Sequence, residues 1–210
     1  MHCHCPFVYL SYFKARRSNM RRTIVCLLVL SGLLACGEDL RPSSKDLEGL
    51  WKSECVSPGP GQGIRLSFDI GRNNWTLDYD VYGDTACANA NLRIHIEGPY
   101  ELGKASEALA GAREARFGFG TRTLTAQHQG AATFVEQTCG ISGLEPGSAR
   151  DFAGGCAALG VYPISECMWD YDIVRLEGDV LSFGMRPTDN NMCTPDKRPT
   201  QSGIPLRRQP

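Results

Sequence analysis

Two short sequences, Asp78-Tyr79-Asp80 and Asp170-Tyr171-Asp172, contain the carboxylates whose spacing comes closest to a chemical site. Side chains alternate along a β-strand, so both aspartates of each sequence lie on one face of their strand. If the two strands were neighbours, four carboxylates would converge and form a calcium site or a glycosidase-like pair of acid and base. The favoured alternative is that both pairs lie on solvated outer faces, because no EF-hand ligand spacing accompanies them.

The histidines offer little catalytic potential. His95 lies on the polar face of a predicted strand, and neither it nor His128 belongs to a recognisable hydrolase or metalloprotease motif. The sequence His2-Cys3-His4-Cys5 precedes Met20, which is the better start codon, and has no partner cluster with zinc-finger spacing. We therefore expect no catalytic residue, no metal site and no cofactor, and we expect that the protein is not an enzyme.

Cysteine chemistry is the stronger signal, since the chain has ten cysteines in 210 residues. Such a number is typical of an oxidising compartment. Six of them fall in the body of the chain and predict three disulfides. They are Cys55, Cys87, Cys139, Cys156, Cys167 and Cys193. Fifteen pairings are possible; sequential pairing is favoured because it closes each bridge within neighbouring β units.

Cys36 has a different context, because it directly follows an apolar run at 24–35 that begins after Met20-Arg21-Arg22. This run is too short to span a membrane and has the anatomy of a signal peptide. Its end, Leu33-Leu34-Ala35-Cys36, resembles the lipobox of bacterial lipoproteins. The resemblance implies cleavage before Cys36 and acylation of that residue. We expect a signal peptide at 1–35, with residues 1–19 outside the product, and a lipidated cysteine with a polar tether at 36–46.

Charge and the lipobox together predict the location. Residues 1–35 carry five basic and no acidic residues, so the rest of the chain has a net charge of −6. An acidic body argues against a nucleic-acid partner. Gly37 stands where an aspartate would signal inner-membrane retention. We therefore expect a bacterial envelope protein that is lipid-anchored through Cys36 in the outer membrane, on its periplasmic or surface side. The sequence does not identify a protein partner.

Alternation of apolar and polar residues predicts an all-β domain. It is clear at 75–81, 92–97 and 115–119, and a hairpin is predicted at 173–185. Further strands are expected at 64–70, 121–126 and 132–137. About eight antiparallel strands suffice to close a small barrel. Helix is limited to one turn at 104–110, and the Gly-rich segment 138–167 is expected to be a disulfide-pinned excursion.

Several motifs carry a family resemblance. Gly49-Leu50-Trp51 is similar to the start of lipocalin-like barrels, where the tryptophan plugs the closed end. The pattern continues with Cys55, Tyr82-Gly83-Asp84-Thr85-Ala86-Cys87, Gly98-Pro99-Tyr100 and Gly111-Ala112-Arg113-Glu114. Together they resemble the domain of the adenomatosis polyposis coli down-regulated 1 family, over about residues 47–200, including Arg186-Pro187 and Arg198-Pro199 near its end. Residues 201–210 are expected to be a flexible tail.

The resemblance implies a Wnt-antagonist-like, lipocalin-like barrel that receives lipid, here as a single domain on a bacterial anchor. We therefore expect a lipid, another apolar ligand or an acylated partner in the barrel. The candidate lining residues are Trp51, Phe68, Trp75, Phe117, Phe119, Phe134 and Trp169. The alternative is a structural or adhesive envelope lipoprotein whose barrel is filled and whose surface contacts other proteins.

Overall fold

Residues 41–210 are the part of the chain that the computed structural model describes, so Cys36 and the expected signal peptide lie outside the described residues. Strands dominate this part. They are β1 (Gly49–Ser53), β2 (Val56–Gly59), β3 (Gln62–Ile70), β4 (Asn74–Tyr82), β5 (Ala90–Ala105), β6 (Ala112–Gly118), β7 (Thr121–Ala126), β8 (Ala149–Asp151), β9 (Trp169–Glu177), β10 (Val180–Gly184) and β11 (Ser202–Arg208). The α-helices described are α1 (Ser44–Leu47) and α2 (Gln129–Cys139). No helix within residues 41–210 has the length and apolar character needed to cross a membrane.

Eight of these strands form a closed antiparallel barrel. The order around the wall is β1, β3, β4, β5, β6, β9, β10 and β11, and β11 pairs with β1 to complete the ring. The predicted all-β barrel of about eight strands is therefore confirmed. Outside the ring, β2 pairs with β3, and β7 and β8 extend the sheet from β5.

The long strand β5 connects the barrel to this extension. Its first half, 92–97, pairs with β4 on one side and β7 on the other, whereas its second half pairs with β6. Gly98 lies where β5 changes partner. A Cβ atom there would lie 2.0 Å from the carbonyl oxygen of Gly118. Only glycine permits this close approach of two backbones.

The strand register determines which side chains face the interior. Trp51 lies opposite Phe68, which lies opposite Leu77 and then Ile96. Because side chains alternate along each strand, the neighbouring row comprises Leu66, Tyr79 and Ile94. The inner face is thus built from the apolar rows that the alternation predicted.

The described cores follow from this register. One core lies inside the barrel and includes Trp51, Trp75, Val174, Leu181 and Leu206. A second core lies between the β5–β7 extension and α2, and includes Leu92, Leu124, Val135 and Phe152.

The prediction of a strand at 132–137 was wrong, because this segment belongs to α2. The side chain of His128 caps the helix by accepting a hydrogen bond from the backbone of Ala131, and Gly140 ends it in the left-handed conformation. Thr133, Phe134 and Val135 favour strands as residue types. However, Ala131, Ala132 and Val135 share one helical face, and burial of that face in the second core decides the conformation.

Two boundaries also differ from expectation. The helical turn expected at 104–110 does not form, since β5 continues to Ala105 and a turn then leads into β6. Residues 201–210 are not a flexible tail, because β11 occupies Ser202–Arg208 and pairs with both β10 and β1. The barrel therefore ends beyond the predicted boundary at residue 200. This strand is short and interrupted by Pro205, so its alternation is weak in the sequence.

Three disulfides join the cysteines in sequential order, as favoured from the sequence. They are Cys55–Cys87, Cys139–Cys156 and Cys167–Cys193. The second bridge ties the end of α2 to the segment that follows it. The segment 138–167 therefore is a disulfide-pinned excursion, with β8 inside it.

Candidate ligand site in the barrel interior

One end of the barrel is sealed around Trp51, whose side chain is completely buried. Its indole Nε1 donates a hydrogen bond of 2.8 Å to the carbonyl of Leu47 at the end of α1. The guanidinium of Arg208 lies over the Trp51 ring, 4.1 Å from its centre. The same arginine donates to the carbonyls of Glu48 and Asp46, each at 2.6 Å. Trp51 therefore closes this end, as a plug would.

Aromatic rings fill the interior next to this end. The ring centres of Phe68 and Phe183 are 4.3 Å apart, and Phe117 lies 5.2 Å from both Phe183 and Trp75. Tyr100 stacks on Phe117 at 5.8 Å. Phe68, Trp75 and Phe117, which were candidate lining residues, thus pack mainly against one another. They form the floor of any space that remains in the barrel.

Burial changes along the inner face. Val174, Leu181 and Leu206, which lie near the sealed end, are completely buried. Leu66, Leu77 and Ile96 also point inward but are only half-buried, whereas the half-buried Ile94 packs against the second core. Inward side chains of a fully filled barrel would lose contact with water. These aliphatic side chains therefore keep partial contact with water, whereas those near the Trp51 end do not.

Charged groups line the inner face at the opposite end. Asp170 and Asp172 lie opposite Phe117 and Ala115 of β6, so they point inward and not to the outside. Both are buried. Asp170 Oδ2 accepts a hydrogen bond of 2.7 Å from Nη1 of Arg186. β9 begins and β10 ends at this end of the barrel. The hairpin between the two strands lies at the Trp51 end, where the backbone N–H of Arg208 donates a hydrogen bond to the carbonyl of Asp179.

Burial strongly perturbs Asp172. Burial raises the pKa of its carboxyl from 3.8 to about 7, although hydrogen bonds from the backbone N–H groups of Ile173 and Gly184 act in the opposite direction. These two bonds to Oδ1 measure 2.7 and 2.8 Å. Burial also raises the pKa of Tyr79, which shares the interior. Desolvation destabilises the charged form of each group.

Arg122 is a buried cation on the same inner face. It lies opposite Ile96 on β7 and is 4% exposed. Its Nη1 donates a hydrogen bond of 2.8 Å to the carbonyl of Tyr162, and its guanidinium lies 4.7 Å from the centre of the Phe119 ring. Burial lowers the pKa of Arg122, and the charge of Asp170 partly offsets this. Its Nε has no hydrogen-bond partner among the described residues.

The other aspartate pair lies on the outside of the barrel. Asp78 Oδ1 is 2.6 Å from Nδ1 of His95, and Asp80 Oδ1 is 2.6 Å from Nε of Arg93. These are cross-strand pairs on the outer face of β4 and β5. The four carboxylates therefore lie on opposite sides of the wall, and their convergence in one site is excluded. No group of three or more potential metal ligands occurs within residues 41–210.

The remaining candidate lining residues divide between inside and outside. Phe119 is half-buried and lies 6.3 Å from Trp75, so it faces the interior. Trp169 was wrongly predicted as lining, because it alternates with Asp170 onto the outer face, where its ring lies 4.5 Å from the guanidinium of Arg116. Phe134 was also wrongly predicted, because it is 51% exposed on the solvent face of α2.

Sequence reasoning missed two residues of the interior, Arg122 and Phe183, and two exposed arginines at its ends, Arg186 and Arg208. A signal existed for Arg122, since it occupies an apolar position in the alternation with Leu124 and Ala126. Phe183 likewise alternates with Leu181 in the predicted hairpin. Arg186 and Arg208 have no comparable signal, because their positions depend on strand ends meeting in space.

Two surface clefts lie apart from these charged groups. One, of about 280 Å³, borders Asn74, Glu97 and Thr121. The other, of about 470 Å³, borders Ser43, Arg72 and Arg113. Neither is lined by the inward-facing charges.

Comparison with known proteins agrees with this fold. A search of curated proteins gave no significant match. The family model described as "Adenomatosis polyposis coli down-regulated 1" matches residues 38–151. This match covers β1 through β8 and ends before β9, so it excludes the two Arg-Pro motifs. It covers more than half of the chain, and the chain therefore belongs to the adenomatosis polyposis coli down-regulated 1 family.

Proposed function

We propose that this chain is a lipid-anchored, extracytoplasmic protein whose barrel binds an acyl chain or a similar apolar ligand. The family and the closed barrel fit a ligand-binding barrel domain. An eight-stranded barrel is wide enough to hold one small ligand. The family is not a known enzyme family, and the proposed role requires no catalytic group.

The observation that carries the proposal is the change of burial along the inner face. Leu66, Leu77 and Ile96 are half-buried aliphatic side chains that pack beside the aromatic floor and keep partial contact with water. Covering such side chains with a ligand removes apolar surface from water on both partners. Each buried methylene contributes about 0.8 kcal/mol, so a chain of about ten carbons can offset the entropic cost of association.

The anchor and the location belong to the same proposal. Acylation of Cys36 would hold the barrel at a membrane surface, in the bacterial outer membrane as the lipobox-like sequence suggests. The three disulfides support an oxidising compartment. Such a position would bring the barrel close to lipids and to acylated partners.

Titration with a fluorescent fatty acid tests ligand binding directly. Residues 38–210 are suitable because the barrel closes on itself within them. We expect saturable binding at micromolar ligand. Leu66→Trp adds a large ring among the half-buried aliphatic side chains of the inner face and should weaken binding about tenfold or more. Ser67→Trp adds the same ring on the outer face of β3 and should leave the affinity unchanged.

Absence of saturable binding in a folded wild-type domain would favour the second candidate function, a structural or adhesive lipoprotein. Two observations give this candidate its weight. The aromatic floor already fills part of the barrel. Large apolar side chains are also exposed, with Phe134 at 51%, Met168 at 61% and Met185 at 54%. Exposed apolar groups of this kind are typical of protein contacts when they are contiguous.

A further inference from the structure

Arg122 is a buried cation whose hydrogen bonding is incomplete. It is 4% exposed, and its Nε has no partner within the described part of the chain. The contacts of its guanidinium are the carbonyl of Tyr162 and the ring of Phe119. Burying a charged donor without a partner is costly, so native proteins rarely keep one. A group that accepts from this guanidinium would satisfy it.

A second guanidinium lies close enough to act on Arg122 electrostatically. Arg186 and Asp170 both influence Arg122, in opposite directions. Arg186 follows β10, donates hydrogen bonds from Nη1 to Asp170 and from Nε to Asn190, and has a side chain that is 45% exposed. None of the described residues accepts a hydrogen bond from its Nη2. Donors of both arginines thus remain available at the same end of the interior.

The balance of charge at this end favours an anion. Arg122 and Arg186 carry two positive charges, and Asp170 carries one negative charge. Asp172 already accepts two backbone hydrogen bonds and is completely enclosed. Because burial raises its pKa to about 7, it contributes only part of a negative charge near neutral pH. The group therefore has a partial positive excess, and an incoming anion is attracted most strongly at the buried Arg122.

We propose that Arg122 and Arg186 bind the carboxylate of a fatty acid whose chain lies along the half-buried aliphatic side chains. This inference rests on the proposed function and specifies its ligand. The charged end lies opposite the Trp51 plug, so the carboxylate would stay at that end while the chain points toward the aromatic floor. Planar guanidinium groups match the geometry of a carboxylate and bind it in a bidentate manner.

The test compares ligands that share one chain and differ in the head group. Residues 38–210 are titrated with a C16 fatty acid, its methyl ester and the corresponding amine, using displacement of a fluorescent fatty acid. We expect the acid to bind roughly tenfold or more tightly than the ester, as a charge-assisted hydrogen bond would give. The amine should bind more weakly than both. Acetate alone should not compete, because it lacks the chain.

Two variants test the arginines from opposite directions. Arg122→Gln should reduce the preference for the acid over the ester to near unity and leave the ester affinity nearly unchanged. Asp170→Asn removes a negative charge and should strengthen acid binding severalfold, which a damaged fold would not do. Arg116→Gln is the matched control, since this arginine lies on the outer face over Trp169. Near-ultraviolet circular dichroism confirms the packing of the aromatic core in each variant.

The outcomes separate the two proposals. Equal affinity for acid and ester in the wild type would overturn the carboxylate site and leave apolar binding intact. Failure of both acid and ester to bind would overturn the proposed function itself. Competition by acetate at the concentration of the long acid would show a site for small carboxylates, and it would overturn the assignment to a fatty acid. If Arg122→Gln does not fold, two measurements still test the carboxylate site. They are the ratio of acid to ester affinity in the wild type and the acid affinity of Asp170→Asn.

Discussion

The guanidinium of Arg208 lies 4.1 Å from the centre of the Trp51 ring and thereby joins the last strand of the barrel to the first. The contact combines a cation–π interaction with hydrogen bonds to the carbonyls of Glu48 and Asp46. It covers the sealed end and draws the last residues of the chain into the fold. The segment expected to be a tail is consequently part of the barrel wall.

Arg208→Ala should destabilise the domain by about 1–3 kcal/mol, because it removes the cation–π contact and leaves two carbonyls without their donor. Arg207→Ala is the control, since Arg207 is an exposed neighbour on the same strand. Urea denaturation followed by tryptophan fluorescence measures both. Equal stability of the two variants would contradict the role of Arg208 in sealing the barrel.

Asp172 should make stability depend on pH. Its pKa is about 7 in the folded state and near 3.8 when unfolded, so folding favours the protonated form. The stability that this group contributes is fully present below pH 3.8 and is lost as pH rises through about 7. The total change is at most about 4 kcal/mol.

Asp172→Asn should remove this loss, so the variant should gain stability relative to the wild type between pH 5 and 8. Asparagine keeps an oxygen that can accept from Ile173 and Gly184. Asp179→Asn, in the exposed turn between β9 and β10, should not change the pH profile. Parallel stability curves for wild type and Asp172→Asn across this range would refute the assignment.

The bridge Cys139–Cys156 should hold α2 against the sheet. It spans 17 residues, so replacing both cysteines with serine should cost about 3 kcal/mol. We also expect faster proteolysis between residues 140 and 155, mapped by mass spectrometry of the fragments. The pair Cys55→Ser and Cys87→Ser serves as a control, because that bridge lies beside Gly63 and away from α2. Cleavage that increases equally in both double variants would argue against a specific role.

Cys36 is expected to be acylated, although it lies outside the described residues. Cys36→Ser should accumulate as an unprocessed precursor and should not incorporate a palmitate analogue in the expressing bacterium. Cys26→Ser changes a cysteine inside the apolar run and should leave labelling unchanged. Labelling of Cys36→Ser at the wild-type level would exclude the lipoprotein assignment.

The sequence by itself indicated an all-β domain and the number of its disulfides. Alternation at 75–81 and 92–97 predicts strands because period two is a local property of extended backbone. The resemblance of Gly49-Leu50-Trp51 to the start of lipocalin-like barrels implied the plug, and the even number of cysteines indicated three bridges. These features depend on residues close in sequence or on simple parity.

Only the tertiary structure decided the nature of the interior. Asp170 and Asp172 alternate in the same way whether they face water or the barrel, and their orientation follows from pairing of β9 with β6. Thr133 to Val135 became helical because Ala131, Ala132 and Val135 bury one face in the second core. Arg122 donates a hydrogen bond to the carbonyl of Tyr162, 40 residues away in sequence. Contacts at such separations are set by closure of the barrel, a global property that no local pattern of residues contains.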